Sequence, residues 1–256
     1  MLKISQAYFS PGSTTKKVVS QISSNFDGEV ETYDLLVDCG EFKSKKFSED
    51  ELLIIGLPVF AGRIPQIVID DLNKFKGDNT PVIPVVVYGN RDYDDALLEL
   101  KDILDENGFK TIGAGAFLAQ HSIFPVVASN RPDEKDIDEI DDFAKECIKK
   151  LDESIEDLDE ILVPGNKPYK EIKILPIMPI AGDGCIECGD CAAICPTEAI
   201  PIDHPSGTID GKCNRCTACI YICPENVRAF PEPMFSGAQK EFAAKCSDRK
   251  EPEIFL

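Results

Sequence analysis

The run Cys185-x2-Cys188-x2-Cys191-x3-Cys195-Pro196 returns 28 residues later as Cys213-x2-Cys216-x2-Cys219-x3-Cys223-Pro224. Thiolates spaced two, two and three apart wrap three corners of an iron–sulfur cubane around one turn of backbone, and the fourth reaches across to a second cluster. The spacing assigns one [4Fe-4S] cluster to Cys185, Cys188, Cys191 and Cys223, and the other to Cys213, Cys216, Cys219 and Cys195. Each proline stiffens the exit from its crossing cysteine and removes a donor that would otherwise need a partner. Disulfides are a weaker use of these thiols, because they persist in oxidising compartments. Zinc is weaker too: its ribbons pair two C-x2-C knuckles across a longer gap than these compact runs.

At these residues the segment resembles the bacterial-type two-cluster ferredoxins. The resemblance implies a small α+β domain carrying two [4Fe-4S] clusters.

Composition narrows the partners. The 256 residues carry a net charge of −19, with no cluster of basic residues. Phosphate backbones are bound by Lys and Arg that release counterions, so nucleic acid is not expected. An acidic face steers a carrier toward redox partner proteins with basic docking patches. No apolar run approaches the ~20 residues of a membrane helix, and the first residues lack a secretory pattern. The expectation is a soluble, cytoplasmic chain without membrane insertion. Cys39, Cys147 and Cys246 have no ligand spacing and read as ordinary buried thiols.

The N-terminal part alternates strands and helices. Residues 2–9 read as a buried strand, and Ser10-Pro11-Gly12-Ser13-Thr14-Thr15 follows it before a helix. Strand, hydroxyl-rich turn and helix N-terminus together hold a phosphate, whose oxygens face backbone N–H groups and Ser or Thr hydroxyls. The same turn also serves as a plain N-cap. Further strands are read at 29–37, 51–57, 81–88 and 109–118, the fourth pairing from Val85 because Pro84 lacks a ladder donor. Helices are expected from Pro65 to about Phe75, after Asp94 to about Asn107, and from Pro132 to Leu158. Such alternation gives a parallel sheet with helices on both faces and its ligand beyond the carboxyl ends of the strands. Gly113-Ala114-Gly115 is followed by Leu118 where a dinucleotide loop needs a third glycine. His121 reads as a hydrogen-bonded loop histidine.

At these residues positions 1–160 resemble flavodoxins, with Gly12 and Ser13 transposed relative to that family's phosphate loop. The resemblance implies a doubly wound five-stranded parallel sheet. It implies FMN phosphate on Ser10, Gly12, Ser13, Thr14 and Thr15. The ring is expected between Pro58-Val59-Phe60-Ala61-Gly62 and the loop carrying Tyr88, Gly89, Asn90, Arg91, Tyr93 and Asp94. Phe60 or Tyr93 would stack on the ring, Gly62 would allow a peptide flip, and Arg63 and Arg91 would sit near its edge. Residues 161–178 read as a linker, 179–232 as the cluster domain and 233–256 as a tail with a helix near Gly237 to Cys246. The whole resembles fused flavodoxin–ferredoxin proteins of anaerobic microbes. No general base or nucleophile stands out, so the expectation is a low-potential electron carrier. The alternative is a flavin-dependent reductase wired through the clusters.

Overall fold

The computed structural model describes residues 2–40, 42–151 and 159–256. The chain runs β1 (Lys3–Tyr8), α1 (Thr14–Ser23), β2 (Val30–Asp34), β3 (Lys45–Lys46), β4 (Glu51–Pro58), α2 (Ile69–Leu72), β5 (Phe75–Lys76), β6 (Thr80–Tyr88), α3 (Ala96–Glu106), β7 (Phe109–Thr111), β8 (Ala114–Leu118) and α4 (Glu134–Leu151). The cysteine segment and tail add β9 (Ile180–Ala181), α5 (Asp190–Ala193), α6 (Ala218–Tyr221), β10 (Arg228–Ala229), α7 (Met234–Lys245) and β11 (Glu253–Phe255).

The main sheet runs β11-β8-β6-β4-β1-β2, with β7 on the first half of β6. Its five long-range parallel strands follow the flavodoxin-like order 2-1-3-4-5, which places the topological switch between β1 and β4. The central strands are buried on both faces, as parallel strands covered by helices must be. Leu53, Ile55 and Leu57 of β4 pack on the side of α2 and α3, whereas Leu52 and Ile54 pack on the side of α1 and α4. Each fully buried aliphatic side chain contributes about 1.5–3 kcal/mol relative to exposure.

Pro84 lies inside β6 rather than before its paired part. The Val82 and Tyr88 carbonyls accept from Ile112 and Ala119, so even-numbered residues of β6 face β7 and β8. Pro84 therefore faces the seam at Ile112-Gly113, where the ladder is already interrupted and no bond is lost. That seam also divides the expected fifth strand into β7 and β8.

The helix expected up to Phe75 ends at Leu72, after a single 3-10 turn at Gln66–Val68. Phe75 is drawn instead into an aromatic group with Tyr33, Phe42 and Phe47, and its backbone pairs with β3. The long helix α4 is described to Leu151; the rest of the expected span, to Leu158, lies outside the described residues. Cys147 and Cys246 are buried, while Cys39 is half-buried with its thiol 3.8 Å from the Pro196 carbonyl.

The tail helix starts earlier than expected, at Met234, and β11 joins the sheet antiparallel to β8. Residues 163–170 run along α3 and are fastened there: Asp95 accepts from the Asn166 and Lys170 N–H groups at 2.8 and 2.6 Å, and Tyr169 bonds Asp102. Among the described residues no helix is long and apolar enough to cross a membrane.

Candidate functional site

The two cysteine runs share one backbone design. Left-handed residues recur at the 28-residue offset, at Glu187 and Arg215, Gly189 and Thr217, and Glu198 and Asn226. The four-residue helices α5 and α6 recur at the same offset. These reversals turn successive thiols inward. Thr217 is β-branched, for which the left-handed region is costly; it is fully buried, and its hydroxyl bonds the Cys216 carbonyl.

Two hollows result. Cys185, Cys188, Cys191 and Cys223 line the first, together with Ile186, Pro205, Val227 and Arg228. Cys195, Cys213, Cys216 and Cys219 line the second, with Pro179, Ala199, Thr208 and Asn214. Each hollow thus takes three thiols from one run and the crossing thiol from the other. Backbone N–H groups already point at sulfur: Ala199 donates to Cys195 Sγ at 3.3 Å and Arg215 to Cys213 Sγ at 3.4 Å. Burial pushes the Cys216 thiol up to about 12 and Cys219 up to about 11. Metal binding must displace those protons, because thiolate is the ligand form.

A third, larger cleft of about 240 Å³ opens at the carboxyl ends of the strands, beside the β1/β4 switch. Thr14 and Thr15 form one end; Pro58, Val59, Phe60 and Ala61 one wall; Val87, Tyr88 and Gly89 the floor. At the Thr14 end, Ser13 is left-handed with φ 63° and makes no side-chain cap. The Ser10 hydroxyl accepts from Lys16 N–H at 2.9 Å, and the Gly12, Thr14 and Thr15 N–H groups have no partner among the described residues. A helix start with free N–H groups suits an anion. Tyr221 of α6 lies over this turn, 3.2 Å from where a Cβ on Gly12 would stand.

Part of the expected ring site is committed elsewhere. Asn90 donates to the Cys246 and Asp248 carbonyls at 2.8 Å each and accepts from Lys250 N–H. Tyr93 is buried, packs on Tyr88 and bonds Glu253 at 2.8 Å, so it anchors β11 and does not line the cleft. Arg91 pairs with Asp94, which also binds Lys170. Arg63 is held by Glu99 and caps the linker at the Lys170 carbonyl. Gly62 has φ 90° and its carbonyl accepts from Asp95 N–H at 3.0 Å, so that peptide is turned to α3.

Four further segments complete the cleft: Ala119 to Phe124 after β8, residues 172–175 of the linker, Asn214 and Arg215, and Phe242 of α7. His121 stood out in the sequence, and Asn214 and Arg215 are the spacers of the Cys213-x2-Cys216 run; the rest are brought in by tertiary packing. The His121 Nδ1 accepts from Ile123 and Phe124 N–H at 3.1 and 3.0 Å, which leaves Nε2 as the protonated nitrogen. Phe124 and Phe242 crowd the ring, and burial, aided by Arg91, brings its pKa down to about 4. Asn214 lines both this cleft and the second cysteine hollow. Its Oδ1 accepts from Cys216 N–H, while its Nδ2 is buried without a partner among the described residues. A buried orphan donor costs about 1–3 kcal/mol, which suits a site completed by a bound acceptor.

No family model matches the chain. Over 52 residues the chain is 36% identical to the polyferredoxin-like subunit of aliphatic sulfonate oxidoreductase from Pyrococcus furiosus. The match covers 18% of this chain and 30% of that subunit. Among solved structures, a short-chain flavodoxin associated with a non-canonical PDU bacterial microcompartment aligns over 59% of this chain and 99% of its own, at TM-score 0.44 and 14% identity. A Fusobacterium nucleatum flavodoxin bound to flavin mononucleotide aligns over 58% and 98%, at 0.41 and 17%. Rubredoxin oxygen:oxidoreductase from Desulfovibrio gigas aligns over 59% of this chain and 36% of its own, at 0.41 and 14%. By its own strand order and its own cysteine spacing, the chain is a flavodoxin-like α/β fold joined to a segment that resembles the bacterial-type two-cluster ferredoxins.

Proposed function

We propose that this protein is an electron carrier that holds FMN in the cleft and one [4Fe-4S] cluster in each cysteine hollow. The flavin supplies one- or two-electron chemistry and each cubane one-electron chemistry. The observation that carries the reading is the shared wall: Asn214 borders both the cleft and the hollow of Cys195, Cys213, Cys216 and Cys219. The second hollow is thus next to the cleft, and the first is reached through the cysteine segment.

The residues suit the groups proposed. The free N–H groups at Gly12, Thr14 and Thr15, with Ser10 and Ser13 beside them, would hold the phosphate. Phe60 and Tyr88 would flank the ring, with Pro58, Val59, Ala61 and Gly89 around it and the neutral His121 Nε2–H as a donor. The linker and Phe242 wall the cleft from outside, which favours exchange through the cluster segment over turnover of a free substrate. In this reading residues 1–160, 161–178, 179–232 and 233–256 are flavodoxin-like domain, strap, cluster domain and closing tail. The cell compartment is the cytoplasm, and partner proteins dock through basic patches on the acidic surface.

Anaerobic purification followed by iron, sulfide, zinc and flavin assays tests this directly. The expected content is about one FMN and about eight irons per chain, four for each cubane. Zinc in place of iron, or clusters without flavin, would overturn it. Steady turnover of a quinone at the flavin would instead favour the reductase.

A further inference from the structure

Arg228 is a buried arginine that has no carboxylate partner among the described residues. The other five arginines each pair with a carboxylate. Arg228 is 2% exposed and pairs with none among the described residues. Its Nη1 donates to the Pro205 carbonyl at 2.7 Å and approaches Cys191 Sγ at 3.8 Å. Its Nη2 donates to the Gly207 carbonyl at 2.8 Å, the Pro179 carbonyl at 3.4 Å and the Thr208 hydroxyl. Its Nε is buried with no partner among the described residues.

These contacts place the guanidinium in the wall between the hollows. Pro205 lines the first, Pro179 and Thr208 line the second, and Arg228 itself lines the first. Its charge also acts on Cys219, a thiol of the second hollow. The backbone is fixed there, since Arg228 pairs with Ala181 across β9 and β10. A buried charge with only neutral oxygens around it is costly, so the site is complete only with an anion beside it. Two thiolate-ligated clusters would supply that anion from both sides.

We propose that Arg228 is a positioning and tuning residue that raises the reduction potential of both clusters, most strongly the one held by Cys191, and couples them electrostatically. The proposal rests on the hollows being cluster sites. On reduction each cluster gains one electron and no bond forms or breaks; the added negative charge is what the fixed cation and its N–H···S contact stabilise. The energetic effect therefore falls on the reduced form. In a neutral variant the reduced-to-oxidised ratio at the first cluster should drop by about tenfold, which is about 59 mV for one electron.

The test is an EPR-monitored reductive titration, with dithionite, of the wild-type protein, Arg228→Gln and Arg228→Lys, each assayed for iron. Arg228→Gln is expected to keep about eight irons yet titrate at lower potential at both clusters, and Arg228→Lys to recover most of the shift. A fully loaded Arg228→Gln protein with unchanged potentials would overturn the proposal, as would a lysine variant shifted as far as the glutamine one. Should Arg228→Gln fail to load, wild-type protein carrying 15N in its arginine guanidino groups decides: pulsed ENDOR of the reduced first cluster should show a 15N coupling, and its absence counts against Arg228. A wild-type protein without iron would instead overturn the cluster reading itself.

Discussion

Gly89 shows how a single residue holds the cleft in shape. A Cβ there would stand 2.6 Å from both Cβ and Cδ2 of His121, a ring pinned by two backbone donors and two phenylalanines. Gly89→Ala should therefore cost about 1–3 kcal/mol through overpacking, read as a lower urea midpoint. His121 itself carries a pH dependence. Its folded pKa of about 4 lies below the unfolded value near 6.5, so below pH ~6.5 the unfolded chain takes up a proton that the native ring refuses. Stability from this group is full above pH ~6.5 and is lost as pH falls toward about 4, by no more than about 3 kcal/mol. Solvent at the mouth of the cleft reduces that figure. His121→Asn keeps an acceptor for the two N–H groups but does not titrate, and denaturation midpoints from pH 7 to 4.5 should lose that part of the slope.

The C-terminal tail does at the level of elements what Gly89 does at the level of atoms. It supplies the edge strand β11 and, through α7, the Phe242 side of the cleft. Asn90 fastens it with three bonds to Cys246, Asp248 and Lys250, and Arg131 donates to the Lys250 carbonyl at 2.8 Å. Asn90→Ala leaves the buried Cys246 carbonyl without this donor, at a cost of about 1–3 kcal/mol. Native-state hydrogen exchange should then show β11 opening well before the central strands. This role was not legible in the sequence. The strands, the turn and helix start after β1 and the spacing of the cysteine runs were, because buried parallel strands and ligand spacing are local patterns. The uses of Asn90, Tyr93 and Arg63 were not, since their partners lie in the tail, the linker or α3, far along the chain. Proximity in sequence to the loops after β4 and β6 suggested a flavin contact, and tertiary hydrogen bonds took these side chains instead.

For the molecule as a whole, the decisive question is the order of the three sites. The second hollow borders the cleft at Asn214, and Tyr221 from the adjacent helix covers the Gly12 turn. Cys188 in the first hollow is exposed, as an exit to a partner would require. The proposed relay therefore runs between flavin, second cluster, first cluster and partner, in either direction. The crossed thiols make this testable by two mirror substitutions. Cys195→Ser removes a ligand of the second hollow although it lies in the first run, and Cys223→Ser does the reverse. Each should retain about four irons in the remaining cubane. Their kinetics should differ: with Cys223→Ser the flavin still exchanges rapidly with the cluster beside it, whereas with Cys195→Ser the surviving cluster is the remote one and exchange with the flavin slows sharply. Stopped-flow reduction followed at flavin and cluster wavelengths reads both. Equal rates in the two variants would mean that neither hollow is the nearer, and the relay order drawn from the shared wall would fail.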